Sequence, residues 1–119
     1  MNTVAQGEIW WIDPTPKIGS EQRGRRPALI IQNDVANQYL RTVIIVVISS
    51  TGSMNMPEMV DLSEYGLKEN SHADFAQIFT IDKSRLIAKI GKITSDKWLQ
   101  VEGALSSIFL KTIGEDVSS

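Results

Sequence analysis

The stretch TVIIVVI, residues 42–48, decides the fold, because it holds the longest apolar run of the chain. Its apolar residues do not alternate with polar ones, which is typical of a strand buried on both faces. The run is far shorter than the roughly 20 residues that cross a bilayer, so we expect no membrane-spanning segment. A strand of this kind predicts a sheet built from the segments around it.

Short segments rich in Val, Ile and aromatic residues surround this central strand. They predict two strands before it, over residues 9–12 and 28–32, and three after it, over residues 59–62, 73–81 and 87–93. Residues 33–40 predict a short helix, and residues 82–85 a turn. These six strands and their connections indicate a small, mostly β barrel. We expect one domain over residues 1–114 and a frayed tail over residues 115–119.

The last segment has a different periodicity, which predicts a C-terminal amphipathic helix. Its apolar residues recur at spacings of three and four, and they are Trp98, Val101, Leu105 and Ile108. This spacing puts all four on one helix face. The helix should begin at one of three capping residues, Thr94, Ser95 or Asp96. Gly103 lies inside it, and its small size would let another backbone approach closely.

Composition excludes several kinds of chemistry. The chain has 119 residues, a net charge of −2, no Cys and a single His. Disulfides, thiolate nucleophiles, cysteine zinc sites and a pair of catalytic histidines in one copy are therefore excluded. Residues 1–7 lack the charge and apolar run of a signal peptide, so we expect a cytoplasmic protein. We expect no cofactor and no metal, and the chemistry must come from Arg, Lys, carboxylates and hydroxyls.

The loop GSEQRGRRP, residues 19–27, concentrates positive charge. Residues 17–26 hold four basic residues and one acidic residue, a net +3 in a chain whose total is −2. Arginine suits a phosphate because its planar guanidinium donates two parallel hydrogen bonds. The alternative is a solvated turn, which charge alone does not distinguish from a phosphate site.

Three motifs in order, GEIWWID at residues 7–13, this loop and ALIIQND at residues 28–34, resemble the MazF/PemK family of toxins. Two later pieces fit as well: residues 42–49, which end in a hydroxyl residue, and QIFTIDKSRL at residues 77–86. The resemblance implies an SH3-like barrel, PemK/CcdB-like, with a short helix after the second strand. It also implies a homodimeric toxin that cleaves single-stranded mRNA without a metal. A cognate antitoxin, MazE/PemI-like, would silence it by occupying the RNA groove.

The resemblance also assigns residues to roles. The family's key arginine, which precedes the proline, corresponds to Arg26, and its Thr or Ser at the end of the third strand corresponds to Ser49. Both suit the stabilisation of charge on a phosphate that a ribose 2′-OH attacks. Glu21 is the nearest candidate base, or else a carboxylate that holds Arg23 or Arg26 in place. Candidate RNA-binding residues are Ser20, Gln22, Arg23 and Arg25 in the loop at residues 19–27. Ser50 and Thr51, in the predicted loop at residues 50–57, are two more.

Several positions leave alternatives open. Many relatives carry Arg where this chain has Phe79 and an acidic residue where it has Ala76, which Asp74 could partly replace. Of the Trp10–Trp11 pair, at least one ring should lie in the core, and the other could stack on a base. We expect His72 at the surface or at a strand edge. The alternative function is a non-catalytic binder on the same fold, either a CcdB-like gyrase poison or a degenerate binder of RNA or antitoxin.

Overall fold

The computed structural model describes residues 3–14, 24–51 and 56–109, and the predicted tail at 115–119 lies outside them. Six strands and two helices occupy these ranges, close to the predicted bounds. The strands are β1 (Glu8–Ile12), β2 (Arg26–Ile30), β3 (Thr42–Ser49), β4 (Met59–Asp61), β5 (His72–Asp82) and β6 (Leu86–Lys92). The helices are α1 (Asp34–Tyr39) and α2 (Ser95–Phe109), and a single 3₁₀ turn, Lys83–Arg85, joins β5 to β6.

The six strands form one antiparallel sheet in the order β4-β5-β3-β2-β1-β6. Strand β3 lies in its interior, between β2 and β5, and its sequence lacks alternation because its two faces enter two different apolar cores. The prediction of a mostly β fold with a short helix after the second strand and a C-terminal helix is confirmed. The sheet is barrel-like but not closed, because β4 and β6 remain its two edges.

Each face of the sheet carries its own apolar core. One core packs Ile9, Leu29, Val46 and Phe75 against Val101 of α2. The other core lies on the opposite face, where its buried residues include Trp10, Ile12, Ala28, Ile30, Val43 and Ile45. Successive residues of β1, β2 and β3 therefore enter different cores, as the pleat of a strand requires.

Helix α2 begins at Ser95, so Thr94 is the cap among the three predicted candidates. Its hydroxyl oxygen accepts a hydrogen bond from the Lys97 backbone N–H at 3.1 Å. Neither described helix is long and apolar enough to cross a membrane.

Two residues of α2 differ from the rest of the prediction. Ile108 is 38% exposed, although the helix period sets it on the same face as the buried Val101. Gly103 lies on the exposed side of the helix. A Cβ there would meet no atom within 4 Å, so no neighbouring backbone requires a glycine.

Candidate active site

The start of β2 and the end of β3 lie at the same end of the sheet, because the two strands pair antiparallel. Ala28 pairs with Val47 and Ile30 with Ile45, and the paired stretch stops at Ala28, next to Pro27, which has no N–H to donate. Arg26, two residues before this paired stretch in β2, and Ser49, two residues after it in β3, therefore lie at the same end of the two strands.

Both residues line a cavity of about 490 Å³. The cavity also contacts Arg25, Ser50 and Thr51, which were predicted to bind RNA, and Trp11. Three of the described residues that line the cavity carry a positive charge, Arg25, Arg26 and Lys68. No described lining residue is Asp or Glu. The arrangement favours an anion such as a phosphate.

Hydroxyl groups cluster at the Ser49 side of the cavity. The Ser49 and Thr51 hydroxyl oxygens are 3.0 Å apart, and the Thr51 backbone N–H donates to Ser49 Oγ at 3.2 Å. When Thr51 donates in the bond between the two hydroxyls, the Ser49 hydrogen is available for a third group. The cluster therefore fixes the Ser49 oxygen in the cavity that Arg26 also lines.

The tryptophan pair divides as the strand pleat predicts. Trp10 is buried, and its indole N–H donates to Glu8 Oε1 at 2.9 Å. Trp11 is half-buried and lines the cavity, and the Arg25 guanidinium carbon lies 4.7 Å from its ring centroid. This cation–π contact holds Arg25 over the cavity and covers one face of the Trp11 ring.

His72 corrects the sequence-based expectation, because it is buried in an interior strand. It is only 2% exposed, and it pairs with Ser49 of β3 on one side and Asp61 of β4 on the other. Its Nδ1 donates to the Asn70 carbonyl oxygen at 2.8 Å. Neither His72 nor Asp74 lines the cavity, and Asp74 Oδ1 accepts from the Ala76 backbone N–H at 3.0 Å.

Four of the predicted site residues, Ser20, Glu21, Gln22 and Arg23, lie outside the described residues. Conversely, the sequence motifs missed part of the cavity wall, which the segment after β4 supplies through Gly66, Leu67, Lys68 and Ser71. The sequence signal in this segment was a turn-forming glycine, Gly66, two residues before a lysine. Gly66 has φ +75°, a left-handed conformation that glycine adopts without strain.

Residues 5–109 match the family described as PemK-like, MazF-like toxin of type II toxin-antitoxin system. Endoribonuclease EndoA of Bacillus subtilis (strain 168) is 37% identical over 105 residues, which cover 86% of this chain and 90% of that protein. The chain belongs to the PemK/MazF toxin family. The resemblance inferred from the sequence motifs is therefore confirmed.

Solved structures of this toxin family share the fold. A crystal structure of MazF from Deinococcus radiodurans superposes with a TM-score of 0.70 at 26% identity, covering 91% of this chain and 97% of that one. An endoribonuclease in complex with its cognate antitoxin, from Mycobacterial species, gives a TM-score of 0.75 at 21% identity, with 91% and 97% coverage. The open six-stranded sheet with a C-terminal helix is thus the MazF-like fold.

Proposed function

We propose that this chain is the endoribonuclease toxin of a type II toxin–antitoxin pair and cleaves single-stranded RNA at the cavity between β2 and β3. The observation that carries the proposal is that Arg26 and Ser49 line one cavity, together with two further cations, Arg25 and Lys68. The names of two relatives support it, since both are endoribonucleases and one is bound to its antitoxin.

The proposed reaction is a transesterification. The 2′ oxygen of a ribose bonds to the adjacent phosphorus, the bond from phosphorus to the 5′ oxygen breaks, and one proton moves from the 2′-OH while another reaches the 5′ oxygen. The products would be a 2′,3′-cyclic phosphate and a free 5′-OH. Negative charge grows on the phosphoryl oxygens during the attack, and we assign the binding of those oxygens to the Arg26 guanidinium and the Ser49 hydroxyl.

Arg26 acts through its charge in this mechanism, because a guanidinium does not give up its proton near neutral pH. The proton from the 2′-OH needs another acceptor. His72 is buried and Asp74 lies outside the cavity lining, so Glu21 is the carboxylate we propose for this step. No metal takes part in the proposed reaction, since the nucleophile belongs to the RNA itself.

We further propose a homodimer, in which two copies of the cationic cavity flank one RNA groove. The antitoxin would bring acidic side chains to Arg25 and Arg26 and block this groove. Both partners and the mRNA substrate occur in the cytoplasm, where we expect the protein to act.

The test is cleavage of a long single-stranded RNA in EDTA, with the new ends mapped. Wild-type protein should cut at defined positions and leave cyclic phosphates. Arg26→Ala and Ser49→Ala should each lower the rate by about 100- to 1000-fold, the usual effect of removing one donor to a transition-state oxyanion. Arg41→Ala and Ser106→Ala are matched controls, since both residues are exposed and lie outside the cavity lining. Cleavage that requires Mg²⁺ or that survives Arg26→Ala would overturn the proposal.

A further inference from the structure

A second cavity, of about 460 Å³, adjoins the first and shares Arg26 with it. Its lining includes Ile45 and Val47 of β3, Gln77 and Phe79 of β5, and Arg85 of the turn that joins β5 to β6. Ile45 and Phe79 are direct partners across the two strands, so their side chains stand side by side on one face of the sheet. The volume falls within the range of pockets that hold small organic groups.

Phe79 leaves 48% of its residue surface exposed, a large fraction for an aromatic residue. It pairs with β3 on one side only, because β4 covers just residues 72–74 of β5, and so no described strand flanks Phe79 on its other side. An uncovered aromatic face beside a cationic site offers a planar apolar surface. A nucleobase stacks on such a surface whatever its identity.

We propose that Phe79 is the stacking platform for a base next to the phosphate that Arg26 binds, so that the second cavity is a nucleotide subsite. The proposal rests on the proposed function and deepens it. Arg26 connects the two cavities, so a strand whose phosphate lies on Arg26 can place a neighbouring base on Phe79. Gln77 and Thr80 also line the cavity and present groups that can hydrogen-bond a base edge.

The charge of this surface favours RNA over a second copy of the chain. Two of the described residues that line the cavity are cations, Arg26 and Arg85, and none is acidic. A two-fold contact uses the same patch on both copies, and the described residues of this patch offer no carboxylate to pair with the arginines of the other copy. Arg85 is also held in place, since its Nε donates to the Asp13 carbonyl oxygen at 2.9 Å. RNA supplies the phosphates that such a surface binds.

The experiment is a double-mutant cycle on an RNA oligonucleotide centred on the mapped cut. A 2′-deoxy sugar at the cut position prevents cleavage, and a second version replaces one base beside the cut with an abasic sugar. Fluorescence anisotropy gives the Kd for wild type and for Phe79→Ala. We expect Phe79→Ala to weaken binding of the intact oligonucleotide by about five- to 100-fold, as loss of one base–aromatic stack does. The abasic site should weaken wild-type binding by a similar factor and Phe79→Ala binding hardly at all.

Three further variants separate stacking from other roles. Phe79→Tyr keeps the ring and should bind like wild type, whereas Phe79→Leu keeps an apolar side chain and should bind like Phe79→Ala. Ile87→Ala is the matched control, because Ile87 is 47% exposed and lies outside both cavities. It should leave Kd unchanged.

Three results would overturn the subsite proposal. The first is a Kd for Phe79→Ala equal to that of wild type. The second is that the losses in affinity caused by Phe79→Ala and by the abasic site multiply when the two changes are combined. The third is that Phe79→Ala sediments with a lower mass than wild type, which would show that the face with the second cavity is a contact between subunits. These results presuppose that wild type cleaves RNA. Uncleaved RNA would refute the proposed function and the subsite together.

Discussion

Glu8 holds the first strand in its orientation, and its replacement should destabilise the fold by an amount that the contacts allow us to calculate. Its Oε1 accepts from the Ala5 backbone N–H and from the Trp10 indole N–H, both at 2.9 Å. Its Oε2 pairs with the Lys89 ammonium, also at 2.9 Å. Glu8 is only 7% exposed, so all three contacts replace water.

Glu8→Gln keeps an oxygen for Ala5 and Trp10 but turns an amide toward Lys89. The pair with Lys89 is worth at most about 1 kcal/mol, because the Lys89 side chain is 49% exposed and screened by water. Weakening two hydrogen bonds from a charged to a neutral acceptor costs roughly another 1 kcal/mol. We therefore expect a loss of about 2 kcal/mol for Glu8→Gln. Glu8→Ala also leaves two buried donors unpaired, which raises the loss to about 4 kcal/mol.

Urea unfolding at pH 7 measures these differences, and its pH dependence tests their cause. Burial alone would raise the pKa of Glu8, but hydrogen bonds from Lys89, Trp10 and Ala5 outweigh it and leave the pKa below its ordinary value of 4.5. A carboxyl whose pKa is lowered by folding stabilises the protein above its unfolded pKa and loses that contribution as pH falls through the folded pKa. The gap between wild type and Glu8→Gln should therefore shrink from about pH 5 downward.

Two results would refute this reasoning. One is a Glu8→Gln protein as stable as wild type at pH 7. The other is a gap that does not shrink as the pH is lowered from about 5, although the carboxyl takes up its proton in the unfolded state before it does so in the folded state. Lys89→Met is the matched control, and we expect it to cost only about 1 kcal/mol because it leaves the other two hydrogen bonds intact.

Two more predictions concern the cavity and the last helix. Trp11→Leu removes the ring beneath Arg25, so binding of the 2′-deoxy oligonucleotide should weaken by about two- to fivefold. This loss should vanish in an Arg25→Ala background. An equal loss in both backgrounds would contradict the cation–π role. Thr94→Ala removes the hydroxyl that accepts a hydrogen bond from the Lys97 backbone N–H. It should lower the free energy of unfolding by about 1 kcal/mol and Tm by about 3–6 °C. Thr94→Ser keeps the hydroxyl and should retain most of the stability. An unchanged melting curve for Thr94→Ala would show that the cap contributes nothing.

The elements of the fold follow from the sequence because they depend on residues close together in the chain. The non-alternating run of β3 predicted an interior strand, and β3 has neighbours on both sides. The spacing of Trp98, Val101 and Leu105 predicted the contact face of α2, where Val101 is fully buried. Ile108 departs from this pattern because helix periodicity says which residues share a face and not how far the partner sheet extends.

The site residues were predicted in a different way from the strands. The resemblance to the family assigned roles to Arg26, which precedes the proline, and to Ser49, the hydroxyl residue at the end of the central strand. Burial of His72 could not be predicted, since its surroundings come from β3 and β4, which lie elsewhere in the chain.

By itself, then, the sequence determined the strands through their local composition, and its resemblance to the family's motifs assigned the pair of residues proposed for catalysis. Only the tertiary structure decided that Arg26 and Ser49 line one cavity, that the loop with Lys68 closes it, and that Phe79 borders a second cavity beside it. These facts depend on strand register and on the pleat, which fix the neighbours of a side chain through hydrogen bonds between distant segments.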